Sequence, residues 1–245
     1  MNHKSTNKKK LLIFALILIS VLGLFLIRAA NYPVGPDTLN ITSNTTKPNV
    51  INATINISGG VIAAMNITST TQDTRWKGFI GHVTGAFSLQ DSTGSVLYNW
   101  ALSSITGKIY TTRNATLVNW ANINCSNLST LNAENVLMSH SNPNDNLNMT
   151  FNYSTGATHQ SFYVGSRLMV ENTCPTLNTY VNNKTNDTYF EEMALYDGYN
   201  IVYATVLNQN QVGYDGHNYD FQMIVPENGA PGYQGATAYY LYVEI

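Results

Sequence analysis

Charged side chains are scarce in this chain: Asp, Glu, Lys and Arg together make up 11% of its 245 residues. Beyond residue 30 there are only seven basic residues but all fourteen acidic residues, which gives a net charge of −7. Nucleic acids and anionic bilayers are bound through basic surfaces. The part of the chain beyond residue 30 is therefore not expected to bind either of them.

Catalytic sequence motifs are also lacking. The chain has no Gly-x-Ser-x-Gly elbow, no His-Glu-x-x-His, no glycine-rich phosphate loop and no Cys-x-x-Cys. Its histidines are scattered without metal-ligand spacing, at His3, His82, His140, His159 and His217. We therefore expect a protein that is not an enzyme and that holds neither a cofactor nor a metal.

Cysteine is nearly absent, and the only two residues of this type are Cys125 and Cys174. In an oxidising compartment two cysteines most simply form one disulfide. Closing a loop of about 50 residues in this way stabilises a fold by roughly 4 kcal/mol in the chain-entropy model. Two free buried thiols are the alternative, since a metal site would need more ligands than two cysteines supply.

The acidic residues leave one catalytic alternative open, because glycoside hydrolysis needs only two carboxyl groups about 5 to 10 Å apart. Glu191 and Glu192 could form such a pair with Asp197, Asp215 or Asp220.

A calcium loop is a further alternative, for which the oxygen donors would come from Asn142, Asn144, Asp145 and Asn146. This stretch lacks the glycine and the distant bidentate Glu of the usual motif. A run of Asx turns explains the same residues equally well.

Asn-x-Ser/Thr triplets, the acceptor sites for N-linked glycans, are abundant. The 32 Asn and the 44 Ser or Thr residues of the chain would form about six such triplets in random order. There are twelve, and they begin at Asn40, Asn44, Asn52, Asn56, Asn66, Asn114, Asn124, Asn127, Asn148, Asn152, Asn183 and Asn186. All lie beyond residue 30, which favours an extracytoplasmic, glycosylated region.

An uncharged apolar run occupies residues 11–27, between three consecutive lysines and Arg28. Seventeen residues at about 1.5 Å rise are the short limit for a roughly 30 Å hydrocarbon core. They also exceed the usual apolar core of a cleaved signal peptide. The lysines of residues 1–10 favour a cytoplasmic N-terminus. We therefore expect a single-pass anchor in the cell membrane, with the C-terminal domain extracellular.

Two alternatives to an uncleaved anchor remain. Signal-peptide cleavage after Ala30 would require a small residue three positions before the cut, where Arg28 stands. A pilin-type leader, cut just before the apolar run, would normally carry a small residue at the position of Lys10.

The remainder divides into a predicted linker over residues 28–49, which contains Pro33, Pro36 and Pro48, and a β-rich extracytoplasmic domain over residues 50–245. The second part is long enough for one all-β domain. Twenty-five aromatic residues beyond residue 30 argue against disorder.

Residues 51–67 alternate between apolar and polar side chains with a period of two, which is typical of strands with one buried face. Gly59 and Gly60 could form a turn or a β-bulge between two such strands. The alternation predicts that the aliphatic side chains pack inward: Ile55, Ile57, Val61, Met65 and Ile67. It places the glycan acceptors of this segment on the opposite face: Asn52, Asn56 and Asn66.

The same alternation predicts a hairpin of residues 79–90 and 96–102, joined by a turn at residues 91–94, with Trp100 packed in the core. Further strands are predicted at residues 107–113, 147–153, 161–170, 200–207, 218–225 and 237–244. A helix is predicted at residues 130–140, and a capping box for a short helical turn at Thr188–Glu191.

These elements together predict an all-β, β-sandwich-like ectodomain with one or two short helical excursions, preceded by a single N-terminal transmembrane helix. The tyrosine-rich residues 238–245 are apolar on both faces, which favours a strand in the middle of the sheet. At the edge, this strand would instead be a pairing surface for another chain.

Five short motifs stand at residues 74–79, 81–85, 97–100, 219–229 and 239–244. They read Thr74-Arg75-Trp76-Lys77-Gly78-Phe79, Gly81-His82-Val83-Thr84-Gly85, Leu97-Tyr98-Asn99-Trp100, Tyr219-Asp220-Phe221-Gln222-Met223-Ile224-Val225-Pro226-Glu227-Asn228-Gly229 and Tyr239-Tyr240-Leu241-Tyr242-Val243-Glu244. As a set they resemble a family of uncharacterised archaeal membrane-anchored or secreted surface proteins. The resemblance covers roughly residues 50–245. It implies an archaeal surface setting and carries over no catalytic residue.

The expected function is a structural or interaction role in the cell envelope, such as adhesion or assembly, with envelope proteins or glycans as partners. A carbohydrate-binding module is the alternative, because Trp76, Trp100 and Trp120 could stack on sugar rings. An envelope-acting glycoside hydrolase is the third hypothesis.

The anchor hypothesis predicts that membrane-extracted protein retains residues 1–28, because an uncleaved apolar helix stays attached to its domain. Intact-mass analysis of the extracted chain measures this directly. A mature N-terminus near Asn31 would contradict the hypothesis.

Overall fold

The computed structural model describes residues 32–151, 158–185 and 188–245. The predicted anchor at residues 11–27 and the acceptors Asn152 and Asn186 lie outside these ranges. Among the residues that the structure describes, no helix is long and apolar enough to cross a membrane.

Most of the regular structure in these ranges is β-strand. In chain order the strands are β1 (Trp76–Gly81), β2 (Ala86–Gln90), β3 (Val96–Ala101), β4 (Thr106–Thr112), β5 (Asn124–Cys125), β6 (Phe162–Val164), β7 (Arg167–Met169), β8 (Thr176–Asn178), β9 (Tyr180–Val181), β10 (Lys184–Thr185), β11 (Glu191–Tyr196), β12 (Ile201–Asn208), β13 (Gln211–Val212), β14 (Asn218–Tyr219), β15 (Phe221–Pro226) and β16 (Tyr240–Glu244). With two short α-helices beside them, the prediction of an all-β protein is confirmed.

A six-stranded antiparallel sheet forms the centre of the fold, in the order β16-β4-β12-β11-β5, with β8 also paired to β11. Strand β12 has a partner on each edge: Tyr203 lies opposite Thr111 of β4 and opposite Ala194 of β11. Every residue from 201 to 205 is buried, so this strand is covered on both faces.

Alternation along the central strands divides the buried side chains into two cores. On one face Tyr203 and Leu207 pack with Met223 of β15 and with residues of the two α-helices. On the other face Val202 and Ala204 pack with the β6–β7 hairpin and with Trp120, which begins a short 3-10 turn. The central sheet is thus a middle layer with a cover on each side.

The two helices begin at asparagine caps. Helix α1 (Leu128–Leu137) starts after Asn127, whose side-chain oxygen accepts a hydrogen bond from the Thr130 N–H at 3.0 Å. The Thr130 hydroxyl accepts one in turn from the Asn127 N–H at 2.9 Å, which completes a capping box. This is the helix predicted at residues 130–140, begun two residues earlier.

Helix α2 (Leu147–Thr150) replaces the strand predicted at residues 147–153, and that prediction is wrong. The side chain of Asn146 accepts from the Met149 N–H at 2.9 Å and so starts a helical turn. The capping box predicted at Thr188–Glu191 is also wrong, because Glu191 begins strand β11.

The strands predicted within residues 51–67 are absent, because no strand is assigned from residue 35 to residue 75. Ile55 and Ile57, expected in the core, are 58% and 51% exposed, and Ile67 is 83% exposed. The alternation determines which side chains share a face, but within the ranges that the structure describes no layer covers that face.

Strand β16 lies at the sheet edge and not in the middle, which corrects the prediction for residues 238–245. Its inner edge pairs with β4, whereas on its outer edge Val34 is the one backbone partner among the described residues. The Val34 N–H donates to the Val243 carbonyl at 3.1 Å, and the Val243 N–H donates back at 2.7 Å. The predicted linker is therefore bound to the domain near its start, and residues 35–75 form a long loop between this bridge and β1.

Glu192 is a carboxyl group buried inside the central sheet. One of its oxygens, Oε2, accepts a hydrogen bond from the Ile224 N–H at 2.8 Å, and Oε1 has no partner among the described residues. Burial raises the pKa of Glu192 well above its usual range, although the Ile224 N–H opposes the shift. The folded protein therefore holds this proton to higher pH than the unfolded chain does.

The raised pKa of Glu192 predicts that stability falls as pH rises above about 4.5, by up to about 1.4 kcal/mol per pH unit until the folded-state pKa is passed. Glu192→Gln removes this proton, so its unfolding free energy should lack that slope and exceed the parent's near pH 8. Urea unfolding of both chains from pH 4 to 9 measures the difference. Glu171→Gln, at an exposed carboxyl, should keep the parent's slope; equal slopes for Glu192→Gln and the parent would contradict this account.

Candidate interaction surface

The hairpin of β2 and β3 lies outside both cores. All eleven of its strand residues are exposed. Its turn is closed by side-chain hydrogen bonds: the Asp91 carboxylate accepts from the Thr93 N–H at 2.8 Å and the Ser95 N–H at 2.9 Å. Hydrogen bonds from Thr93 and from the backbone of Ser95 lower the pKa of Asp91. The predicted turn and the pairing of residues 86–90 with residues 96–101 are confirmed. Residues 79–81 of the predicted first strand belong instead to β1, which pairs with β15, and the predicted place of the hairpin in the core is wrong.

One face of this hairpin is apolar. Phe87 lies opposite Trp100, and Leu89 lies opposite Tyr98, so these four side chains share a face. The rings of Tyr98 and Trp100 meet edge to face with centroids 4.9 Å apart. With Val96 they form what we call the apolar hairpin face, in which each residue is between 49% and 59% exposed.

Trp100 is therefore not a core residue, which corrects the prediction. Sequence reasoning also missed Phe87, Leu89 and Tyr98 as surface residues. Their alternation is the same as that of a buried strand, and no signal in the hairpin's own sequence tells whether another layer covers it. A two-stranded hairpin without such cover is only marginally stable in water.

The other two tryptophans are not available as a sugar-stacking platform. Trp120 is 9% exposed and contacts the rings of Tyr110 and Tyr242, each with centroids 5.2 Å away. Trp76 donates its ring N–H to the Asp145 carbonyl at 2.8 Å and packs against His140. Of the three candidates for carbohydrate stacking, Trp100 is half exposed, Trp76 is partly buried and Trp120 is buried.

Ten of the twelve glycan acceptors lie in the described ranges. Asn114 and Asn148 are partly buried, and the other eight are exposed: Asn40, Asn44, Asn52, Asn56, Asn66, Asn124, Asn127 and Asn183. Five of these eight lie on the loop of residues 35–75. The acceptor positions are thus concentrated on the part of the chain that packs least against the cores.

Two acceptors show how the carbonyl oxygen of an Asn side chain can be used while its amide nitrogen stays available. Asn114 accepts from the Thr116 N–H at 3.0 Å and from the Thr116 hydroxyl at 2.7 Å, within its own triplet. Asn127 caps helix α1 through the same atom. A glycan attaches to the side-chain nitrogen, so neither hydrogen bond conflicts with modification.

The cysteines form the predicted disulfide, with the α-carbons of Cys125 and Cys174 4.7 Å apart. Buried His159 supports this connection, because its Nε2 accepts from the N–H groups of Thr173 and Cys174 at 3.1 and 3.0 Å. Its Nδ1 donates to the Gln160 carbonyl at 2.8 Å. Burial lowers the pKa of His159, which keeps the ring neutral and able to accept both bonds.

The carboxylates considered for glycoside hydrolysis hold backbone groups. Asp197 accepts from the N–H groups of Tyr199 and Asn200. Asp220 accepts from those of Val83 and Asn210.

The remaining candidates are similarly engaged. Glu192 lies in the core, Glu191 is buried and accepts from the Gln160 N–H at 3.0 Å, and Asp215 accepts from the His217 N–H in an exposed turn. Each of the five therefore accepts a backbone hydrogen bond within the fold.

The oxygen donors considered for calcium serve the loop before helix α2. Asn142 accepts from the Asn144 N–H at 2.9 Å in an Asx turn, Asn146 caps the helix, and Asp145 forms an ion pair with Arg75. No group of three or more His, Cys, Asp or Glu side chains in the described part of the chain is arranged to hold a metal.

A polar groove lies between residues 71–75 and 227–235. Glu227, one of its lining residues, has a carboxylate oxygen 2.6 Å from the Lys77 ammonium. Partial burial raises the pKa of Glu227, but hydrogen bonds from Lys77, Thr237 and backbone N–H groups lower it to about 2. These charges compensate one another, so Glu227 offers no unpaired charge to a ligand in the groove.

No family model, curated protein or solved structure matches this chain. The resemblance of residues 50–245 to archaeal surface proteins therefore stays a prediction, and the case for function depends on the surfaces described above.

The two tryptophan environments predict different costs of truncation. Trp120→Ala removes a buried ring and should destabilise the fold by about 3–5 kcal/mol, whereas Trp100→Ala should change the unfolding free energy of the single chain by less than about 1 kcal/mol. Urea unfolding of both variants at low protein concentration measures this. Equal losses would place Trp100 in a core and contradict the exposed hairpin.

Proposed function

We propose that this chain is a membrane-anchored surface glycoprotein with a structural or interaction role in the cell envelope, such as adhesion or assembly. Residues 11–27 serve as the anchor, the N-terminus is cytoplasmic, and residues 50–245 lie outside the cell. The partners are other envelope proteins or glycans, and the role requires no catalysis and no cofactor.

The apolar hairpin face is the observation that carries an interaction role. Five large apolar side chains, each about half exposed, lie together on one small hairpin. Soluble monomers rarely leave such a contiguous patch uncovered, and uncovered patches are typical of binding surfaces.

The extracellular location is supported by two further features. Eight glycan acceptors are exposed, so that glycans could be attached without unfolding the domain. The Cys125–Cys174 disulfide is a bond that persists in oxidising compartments.

Carbohydrate binding is the second candidate, and the exposed pair of Tyr98 and Trp100 favours it. Sugar sites combine an aromatic platform with polar groups that bind the hydroxyls. The polar side chains nearest in register, Ser88 and Asn99, point to the opposite face of the hairpin. A protein partner therefore fits the apolar hairpin face better than a sugar.

Surface location and glycosylation can be tested together on native membranes. Protease added to intact cells should release peptides from residues 50–245, and mass spectrometry should find glycans on the exposed acceptors of residues 40–66. Intact cells that protect these residues from protease, or acceptors that are all unmodified, would contradict the proposed function.

A further inference from the structure

The loop of residues 35–75 is fixed to the domain at both ends, but most of its residues are exposed. It begins after the Val34 bridge to β16 and ends at β1. Structureless loops of this length inside a domain are uncommon and are usually functional or disordered. Within it lies the donor segment, as we call residues 51–67, with its row of exposed aliphatic side chains.

Among the described residues, the hairpin lacks a third strand and a covering layer. In the described part of the chain β2 and β3 form a two-stranded sheet, so neither outer edge of this sheet is paired with another described strand. Its apolar face is uncovered as well. A third strand and a second apolar layer are what such a hairpin needs to be stable.

We propose that the donor segment of one copy adds as a strand to the free edge of the hairpin in a second copy. This proposal rests on the proposed interaction role, and the partner that it names is another copy of this chain. Strand addition to an exposed edge is a general mode of recognition, in which main-chain hydrogen bonds provide affinity and alternate side chains provide specificity.

The alternation of the donor segment fits this arrangement. Its aliphatic side chains would continue the apolar hairpin face, while Asn52, Asn56 and Asn66 would lie on the other side. Glycans on these acceptors would then point to solvent and would not obstruct the contact.

The scarcity of charged residues and the area of the contact are both consistent with this arrangement. Residues 48–72 contain no charged side chain, and the hairpin has only Asp91, at its turn. If two copies exchange donor segments reciprocally, the two apolar layers can face each other. The contact would then bury on the order of 2,000 Å² in total, which is the lower range for stable homodimers.

A second copy is a better occupant than the same chain. Within one chain the donor segment and the apolar hairpin face are both exposed, so they do not cover each other. Exchange between two copies covers both and closes the assembly with two-fold symmetry.

The test uses the full chain in detergent micelles, with one variant for each half of the contact. Ile55→Asp disables the donor segment, and Trp100→Asp disables the hairpin. Each position is about half exposed in the single chain, so the fold should be retained, and melting curves verify this. Matched controls lie on the opposite faces: Ile62→Asp, at a 99% exposed residue, and Leu97→Asp, at a 79% exposed residue.

Analytical ultracentrifugation should show a dimer of the parent chain and of both controls. Each disabling variant alone should dissociate at least about tenfold more readily. An equal mixture of the two variants should recover association, because one intact donor segment then meets one intact hairpin. Recovery in the mixture distinguishes exchange between copies from any indirect effect of the substitutions.

Other results would overturn the inference. A parent chain that stays monomeric, controls that weaken the dimer as much as the disabling variants, or a mixture that fails to associate would each do so. A monomer whose binding to a glycan array is lost with Trp100→Asp would assign the hairpin to sugar. None of these results decides surface location or glycosylation, which the protease and mass-spectrometry experiment tests separately.

Discussion

Strand β12 has a hydrogen-bonded partner on each edge and a core on each face, and the described fold is arranged around it. A strand in this position leaves no backbone group unpaired and no apolar face uncovered, the two conditions that a stable sheet must meet. The helices, the β1–β15 pair and the β6–β7 hairpin supply the covers. The disulfide between Cys125 and Cys174 ties the edge strand β5 to the chain leading into β8.

Other segments of the same chain meet these conditions only in part. Strand β16 is paired on one edge and touches Val34 on the other. Among the described residues, the β2–β3 hairpin is paired internally but has no covering layer, and the donor segment has neither a paired strand nor a covering layer. The exposed apolar surface therefore lies on the hairpin and on the donor segment, because their alternating apolar side chains lie outside both cores.

The covered parts of the fold could be predicted from the sequence. Strands β4 and β12, the turn at Asp91, helix α1 and the disulfide were all expected from alternation, turn residues and spacing. These signals are local, and the surrounding layers reinforce them. The all-β class follows from the same signals.

The incorrect predictions share one physical cause. Alternation shows which side chains lie on one face of a strand, but the cover for that face comes from distant segments. Trp100 and Ile55 carry the same pattern as core residues, yet both are exposed. The pairing of Val34 with Val243 was equally inaccessible, since no property of either residue specifies a contact more than 200 positions away.

Hydrogen–deuterium exchange of the full chain at low and high concentration tests the account most directly. At low concentration, the amides of residues 51–67 and of the outer edges of the hairpin should exchange rapidly, while those of β12 stay protected. At high concentration the first two groups should become protected together. Protection of residues 51–67 that is the same at every concentration would show that this segment is covered within its own chain, and would contradict the account.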